Sequence, residues 1–318
     1  MSLLLLLVVS FLWGSSFLLL KAAATAFDPL SVALFRAVIA TISMAVWCVF
    51  TGARWPRSTS LWRSIFGLSL IGQVLPFVAL SWASTYLTAG HVAMFVGTAP
   101  LMTFVIARVV GIEQSFRRIQ AIGLLVGLLG LWVAIGRVSP EDGTPGLAGN
   151  VLALLAALGY ATGALISRRV TAAIGSVMAV TTALIVTTGF LAAVFAFARF
   201  FYVPTQVSTI NVEAVVAVLL LGSANTAIAY VIYFSLIKRA GALFASLNNY
   251  LVPPVGMLLG VAFLGERWSL ASTCSIALTI LGATMVAYGR PAGAEKKCES
   301  VSDRTGLMLK DSRRPGRG

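Results

Sequence analysis

Acidic residues are scarce in this 318-residue chain: ten Asp and Glu stand against 23 Lys and Arg, and only 10% of residues are charged. Soluble domains carry about 25% charged and roughly 45 to 50% apolar residues, whereas 59% of this chain is apolar. So little charge cannot cover a water-facing surface of this size, which excludes an ordinary soluble fold. Histidine is nearly absent as well, with His91 alone. Cys48, Cys274 and Cys298 are too few and too dispersed for a disulfide framework or a metal site. HExxH, GxSxG and CxxC motifs are missing, and no Asp or Glu lies deep in an apolar run. A hydrolase, a metalloenzyme or any other enzyme therefore has little chemistry to draw on, and no cofactor or metal is expected.

What the chain has is long uncharged stretches. Marking every charge leaves nine runs long enough to cross a bilayer, which takes about 20 residues per helix. The run over residues 64–107 has double length, and the polar stretch from Ser84 to His91 divides it. Ten helices are predicted: 3–22, 30–50, 64–82, 89–110, 118–136, 148–167, 176–198, 214–236, 240–263 and 268–288. The runs lack strand alternation and are too long for barrel strands. The fold class is all-α, a polytopic bundle of ten transmembrane helices.

Basic residues orient the bundle. With the N-terminus inside, cytoplasmic segments hold 18 Lys and Arg, and the outer segments hold only Lys21, Arg137, Arg199 and Arg267. The positive-inside rule then places both termini in the cytoplasm. The apolar N-terminal run lacks a basic n-region and is longer than a signal peptide's apolar core, so it reads as a retained helix. Residues 291–318 form a basic, polar, disordered cytoplasmic tail. The net charge of +13 thus reflects membrane topology, and the partners expected are the lipid bilayer and a small-molecule substrate, with no nucleic acid.

The two halves read as copies. Pro100 precedes Glu113 by the same 13 residues that separate Pro253 from Glu266, at an offset of 153. Trp13-Gly14-Ser15-Ser16 with Lys21 matches Tyr160-Ala161-Thr162-Gly163 with Arg168 at an offset of 147. The expected division is a first five-helix repeat over residues 1–138, a periplasmic linker over 139–146, a second five-helix repeat over 147–290, and the tail. Five is odd, so the second copy enters the membrane in the opposite sense, as in inverted-repeat carriers that bind substrate near the bilayer midplane.

Leu12-Trp13-Gly14-Ser15-Ser16-Phe17, Leu34-Phe35-Arg36, and the apolar helices leading from Pro100 to Glu113 and from Pro253 to Gly265-Glu266 resemble the EamA family of the drug/metabolite transporter superfamily. The resemblance covers about residues 3 to 289. It implies two EamA repeats and a carrier, usually an exporter, of amino acids or other small metabolites in a bacterial inner membrane. Gly111-Ile112-Glu113 departs from the adjacent Gly-Glu of the pattern, and the tail has no counterpart in it.

Candidate substrate contacts are the polar and aromatic side chains at membrane depth: Trp13, Ser16, Arg36, Gln73, Tyr160, Asn225, Tyr230, Asn248 and Asn249. Arg36 alone is a formal charge well inside a helix, a placement that costs about 2.5 to 3.5 kcal/mol on insertion scales. It suits a substrate carboxylate or phosphate, with snorkelling to headgroups as the plainer role. Buried amides need partners, which a wet cavity or a neighbouring helix supplies. His91 could accept a proton, though it falls near a predicted interface. Small-residue spacings at Gly123/Gly127 and Gly256/Gly260 are explained by packing within one protomer, which favours a monomer. Arg36 and the missing intramembrane carboxylate disfavour the alternative of multidrug efflux of lipophilic compounds. A non-transporting scaffold would leave the duplication unexplained.

Overall fold

A computed structural model describes residues 1–51, 55–87, 92, 95–111, 117–135, 147–201, 210–264 and 268–289. Every regular element among them is helical. In order they are α1 (Ser2–Ala23), α2 (Pro29–Thr51), α3 (Thr59–Ser69), α4 (Leu75–Tyr86), α5 (Ala99–Val109), α6 (Arg118–Ile135), α7 (Leu147–Ile174), α8 (Ser176–Phe201), α9 (Val212–Gly222), α10 (Ala229–Ala240), α11 (Ala242–Ser246), α12 (Asn248–Leu264) and α13 (Leu270–Tyr288). Eight helical stretches are long and apolar enough to cross a membrane, and Ala99–Val109 and Arg118–Val133 are shorter apolar helices. A bilayer core leaves no water for the backbone, so each segment satisfies its own N–H and C=O groups as a helix.

Local chemistry sets several ends. Asp28 caps α2, its Oδ1 accepting from the Leu30 and Ser31 amides at 3.2 and 3.1 Å. Asn211 and Ser269 cap α9 and α13 in the same way, at 2.7 and 3.1 Å. Gly175 and Gly241 take the left-handed φ values of 77° and 88° that join α7 to α8 and α10 to α11 within a single residue.

Two boundaries differ from those expected by about five residues or more. The third span begins at Thr59, five residues before position 64, and α7 continues through Arg168 and Arg169 to Ile174. Hydropathy marks where hydrocarbon ends, whereas a helix continues into the headgroup region as long as its backbone bonds are made. There Arg169 Nη2 donates to Ser60 Oγ at 3.3 Å. Of the fourth expected span, only the part from Phe95 on and Val92 lie within the described residues, and His91 lies outside them, as do Glu113 and Glu266.

Two expected helices are each interrupted by a wide turn, Leu70–Val74 between α3 and α4, and Ser223–Ile228 between α9 and α10. The turns start 153 positions apart. In the first, Pro76 has no N–H to return to the preceding turn, which favours a local widening. In the second, the Thr226 hydroxyl donates to the Leu221 carbonyl at 2.7 Å, five residues back.

Helix α1 packs on α9, α10 and α12; α2 on α8; α4 on α7; and α6 on α13. Bare glycine surfaces allow the closest of these approaches. A Cβ on Gly163 would fall 2.5 Å from the Gly72 Cα, and one on Gly282 would fall 2.6 Å from the Gly127 Cα. Gly123 thus faces α13, while Gly127 takes Gly282 of α13 against its backbone and faces the Tyr250 ring of α12, all within the same chain.

Candidate functional site

Arg36 lies half-buried on α2, two turns in from Pro29. Its Nε donates to Thr226 Oγ1 at 2.5 Å, in the wide turn before α10, and its Cζ sits 5.2 Å from the centroid of the Phe77 ring on α4. Among the described residues Arg36 has no carboxylate partner. The guanidinium therefore points into the bundle, held by a hydroxyl and an aromatic face that leave its charge uncompensated.

Aromatic side chains surround this charge. The Tyr160 and Tyr230 hydroxyls lie in the neighbourhood of the Arg36 guanidinium, and Tyr230 and Tyr233 in that of Tyr160. The Trp13 ring on α1 meets Tyr230 edge-on at 5.5 Å and Tyr233 at 5.0 Å. Four of the expected residues, Trp13, Arg36, Tyr160 and Tyr230, thus converge from α1, α2, α7 and α10.

Asn225 and Ser16 join them through the seam between α1 and the second wide turn. The Trp13 indole N–H donates to the Asn225 carbonyl at 3.0 Å. The Asn225 amide nitrogen donates to Ser15 Oγ and Ser16 Oγ, both at 3.0 Å, and to the Leu12 carbonyl. Gln73 occupies the first wide turn, 153 positions before Thr226. Its Oε1 accepts from Thr187 Oγ1 of α8 at 2.6 Å, and its Nε2 is buried without a hydrogen-bond partner.

Asn248 and Asn249 begin α12, and none of their hydrogen bonds joins them to this cluster. Asn248 is fully buried, with neither amide atom paired, and Asn249 is half-buried. Among the described residues no group of three or more His, Cys, Asp and Glu side chains could hold a metal.

Sequence reasoning missed Thr226, Phe77, Tyr233 and Thr187. Thr226 could have been found: it is the counterpart of Gln73 at the offset already given by Pro100 and Pro253. Phe77 and Tyr233 carried no signal beyond being aromatic residues in apolar runs.

A second polar group lies apart from this cluster, at the end of the bundle where α2 begins. Arg199 Nη2 of α8 donates to Asp28 Oδ2 at 2.6 Å and to Ser31 Oγ at 3.0 Å, and its Cζ lies 4.8 Å from the Phe195 ring centroid. Partial burial pushes the Asp28 carboxyl up, but hydrogen bonds from Ser31 and the Arg199 cation outweigh burial and hold it below the usual aspartate range.

A bundle of apolar helices with a charge and aromatic rings gathered between them defines a polytopic helical membrane protein. The model of the EamA-like transporter family matches residues 1–136 and again 147–288, and the chain belongs to that family. It is a membrane transporter. It is 23% identical over 284 residues to the uncharacterized inner membrane transporter YedA of Escherichia coli, covering 88% of each chain. Identity to the uncharacterized transporter YdfC of Bacillus subtilis is 24% over 275 residues, 85% of this chain and 86% of that one. A chloroplastic WAT1-related protein of Arabidopsis thaliana is 23% identical over 281 residues, 87% of this chain and 67% of the relative. One protein crystal structure superposes with a TM-score of 0.76 at 18% identity, covering 90% of this chain and 96% of that one, a likeness of fold.

Proposed function

We propose that the chain is an alternating-access secondary transporter of a bacterial inner membrane, exporting amino acids or related small polar metabolites. Its substrate contacts are drawn from Trp13, Ser16, Arg36, Gln73, Tyr160, Asn225, Tyr230, Asn248 and Asn249. The observation that carries this reading is the Arg36 guanidinium, turned into the bundle with no carboxylate among the described residues to neutralise it. An uncompensated intramembrane charge is costly, and a substrate of opposite charge relieves that cost.

The mechanism rests on two inverted repeats, residues 1–138 and 147–290; the expected periplasmic linker at 139–146 and basic tail at 291–318 lie outside the described residues. Both termini lie in the cytoplasm. Support comes from contacts that recur at the two offsets. Ser69 Oγ donates to the Ala183 carbonyl at 3.0 Å, and a Cβ on Gly222 would fall 3.0 Å from the Arg36 carbonyl. Ser69 and Gly222 differ by 153 positions, Arg36 and Ala183 by 147. Rocking one repeat against the other exposes the shared cluster to each side in turn. Packing of the glycine pairs within one chain is consistent with a monomer. A cationic drug would meet the Arg36 charge head-on, which is why multidrug efflux ranks second.

Reconstitution tests the proposal. Purified full-length protein in liposomes should exchange at least one labelled amino acid or small organic acid in counterflow, and Arg36→Ala should abolish that exchange while eluting and melting like wild type. Normal exchange by the variant would remove Arg36 from the site. Absence of any exchange, in liposomes where a known carrier works, would refute the transport reading for these substrates.

A further inference from the structure

Two donor groups inside the bundle lack acceptors among the described residues. The Gln73 side chain is only 1% exposed; its oxygen is taken by the Thr187 hydroxyl and its amide nitrogen is paired with nothing. Leaving such a donor buried costs about 1 to 3 kcal/mol, so an unfilled one calls for an account. Arg36 uses Nε on Thr226, and its terminal nitrogens have no hydrogen-bond partner among the described residues.

Packing links the segments that carry the two side chains. Phe77, over which Arg36 stacks, follows Gln73 by four residues, which puts both on one face of the segment running into α4. The helices bearing Arg36 and Thr187 pack on each other and are tied by the Thr41–Thr188 hydroxyl pair. From the other side, α7 presses on the same segment: a Cβ on Gly159, next to Tyr160, would fall 2.6 Å from the Ile71 carbonyl and 2.8 Å from the Pro76 side chain.

We infer that Arg36 and Gln73 together form a two-point receptor for a substrate carboxylate, with the substrate's apolar body among Phe77, Tyr160, Trp13 and Tyr230. This rests on the carrier reading and deepens it by naming the substrate class. A carboxylate offers two oxygens with several lone pairs, so one oxygen serves the guanidinium fork and the other the amide N–H. Charge selects within the oxyanions. One guanidinium neutralises a monoanion, whereas a dianionic phosphate would leave net charge in a low-dielectric bundle. The Thr187 hydroxyl, by holding the Gln73 oxygen, fixes which end of the amide faces the site, making Thr187 a positioning residue.

Full-length protein in detergent micelles is titrated with two matched pairs, phenylacetate against phenethylamine and hexanoate against hexylamine. Intrinsic tryptophan fluorescence and melting temperature report binding. The carboxylates should bind saturably and competitively with one another, and the amines should not. Gln73→Met keeps length and removes the donor; it should weaken carboxylate binding about 10- to 100-fold, the size of one hydrogen bond to a charged group. Gln73→Glu supplies Arg36 with an internal carboxylate and should abolish binding at neutral pH. Both variants must melt near wild type, and Arg36→Gln should lose binding outright. Amines binding as well as the carboxylates, carboxylate binding unchanged in well-folded Gln73→Met, or no binding by any of the four would each overturn the inference. If wild type still exchanges amino acids in liposomes after such a result, only the carboxylate receptor has failed. If that exchange is absent too, the carrier reading fails with it.

Discussion

The hydroxyls of Thr41 and Thr188, 147 positions apart on α2 and α8, meet at 2.8 Å. The same offset relates Trp13 to Tyr160, so in the two-repeat reading residues at matching places in the two halves touch each other here. In a molecule with a two-fold relation between its halves, self-contacts of this kind occur only beside the axis. The central seam between α2 and α8 should therefore accept a covalent bond. In a background with Cys48, Cys274 and Cys298 replaced, Thr41→Cys with Thr188→Cys should form an intramolecular disulfide on mild oxidation. Peptide mass spectrometry and loss of thiol alkylation report it, and alkylation that persists after oxidation would contradict the close approach.

Acid should loosen the contact between Asp28 and Arg199. Because the folded Asp28 carboxyl is held below its ordinary range, it adds stability that is fully present above the unfolded value of about 3.9. That contribution is lost as pH falls from there through the lowered folded value. Asp28→Asn keeps a helix cap and removes the charge. Melting curves in detergent should show the variant below wild type at pH 7, with the gap closing under about pH 4. A constant gap down to pH 3 would exclude the ion pair as its cause.

Gly163 should tolerate no side chain. With a Cβ only 2.5 Å from the Gly72 backbone, Gly163→Val must push α7 away from the first wide turn. Overpacking of this kind costs about 1 to 3 kcal/mol or more, which should appear as a lower melting temperature or poor recovery in size-exclusion chromatography. Wild-type behaviour would mean that the two helices are further apart than described.

Asn225→Ala should weaken the seam between α1 and the second wide turn. It deletes the bonds from the amide nitrogen to Ser15, Ser16 and Leu12 but keeps the Trp13 bond to the backbone carbonyl. Interhelical hydrogen bonds in membranes are worth about 0.6 kcal/mol on average, so a combined loss of about 1 to 2 kcal/mol is expected in a denaturation assay. Trp13→Phe on that background should add a further loss. If the second change costs nothing, the indole bond does not contribute to the seam.

The helical bundle was legible because lipid leaves the backbone one local solution, and apolar runs between charges mark it directly. Arg36 was legible for the same reason, as a charge where hydrocarbon forbids one. The wide turns were not, since Leu70–Val74 and Ser223–Ile228 differ from ordinary helix by one displaced hydrogen bond and contain unremarkable residues. Gln73 and Asn225 stood out as amides, yet nothing in their neighbourhoods told which helix each would meet. Those partners, Thr187 and Ser16, follow from how distant segments pack, and a short polar side chain in an apolar run looks alike whether it bonds its own helix or another.

The two seams that meet the wide turns are unequal counterparts. Asn225 binds Ser16 through its amide, while at the matching positions Gly72 and Gly163 touch with bare backbone. In the inverted-repeat reading, a carrier with identical halves would rest equally often open to either side, because exchanging the roles of the halves returns the same molecule. Each unmatched contact breaks that equality, and about 1.4 kcal/mol shifts the resting ratio tenfold. The sidedness of the idle transporter is then written in the differences between its halves, and Asn225 against Gly72 is one position at which to read it.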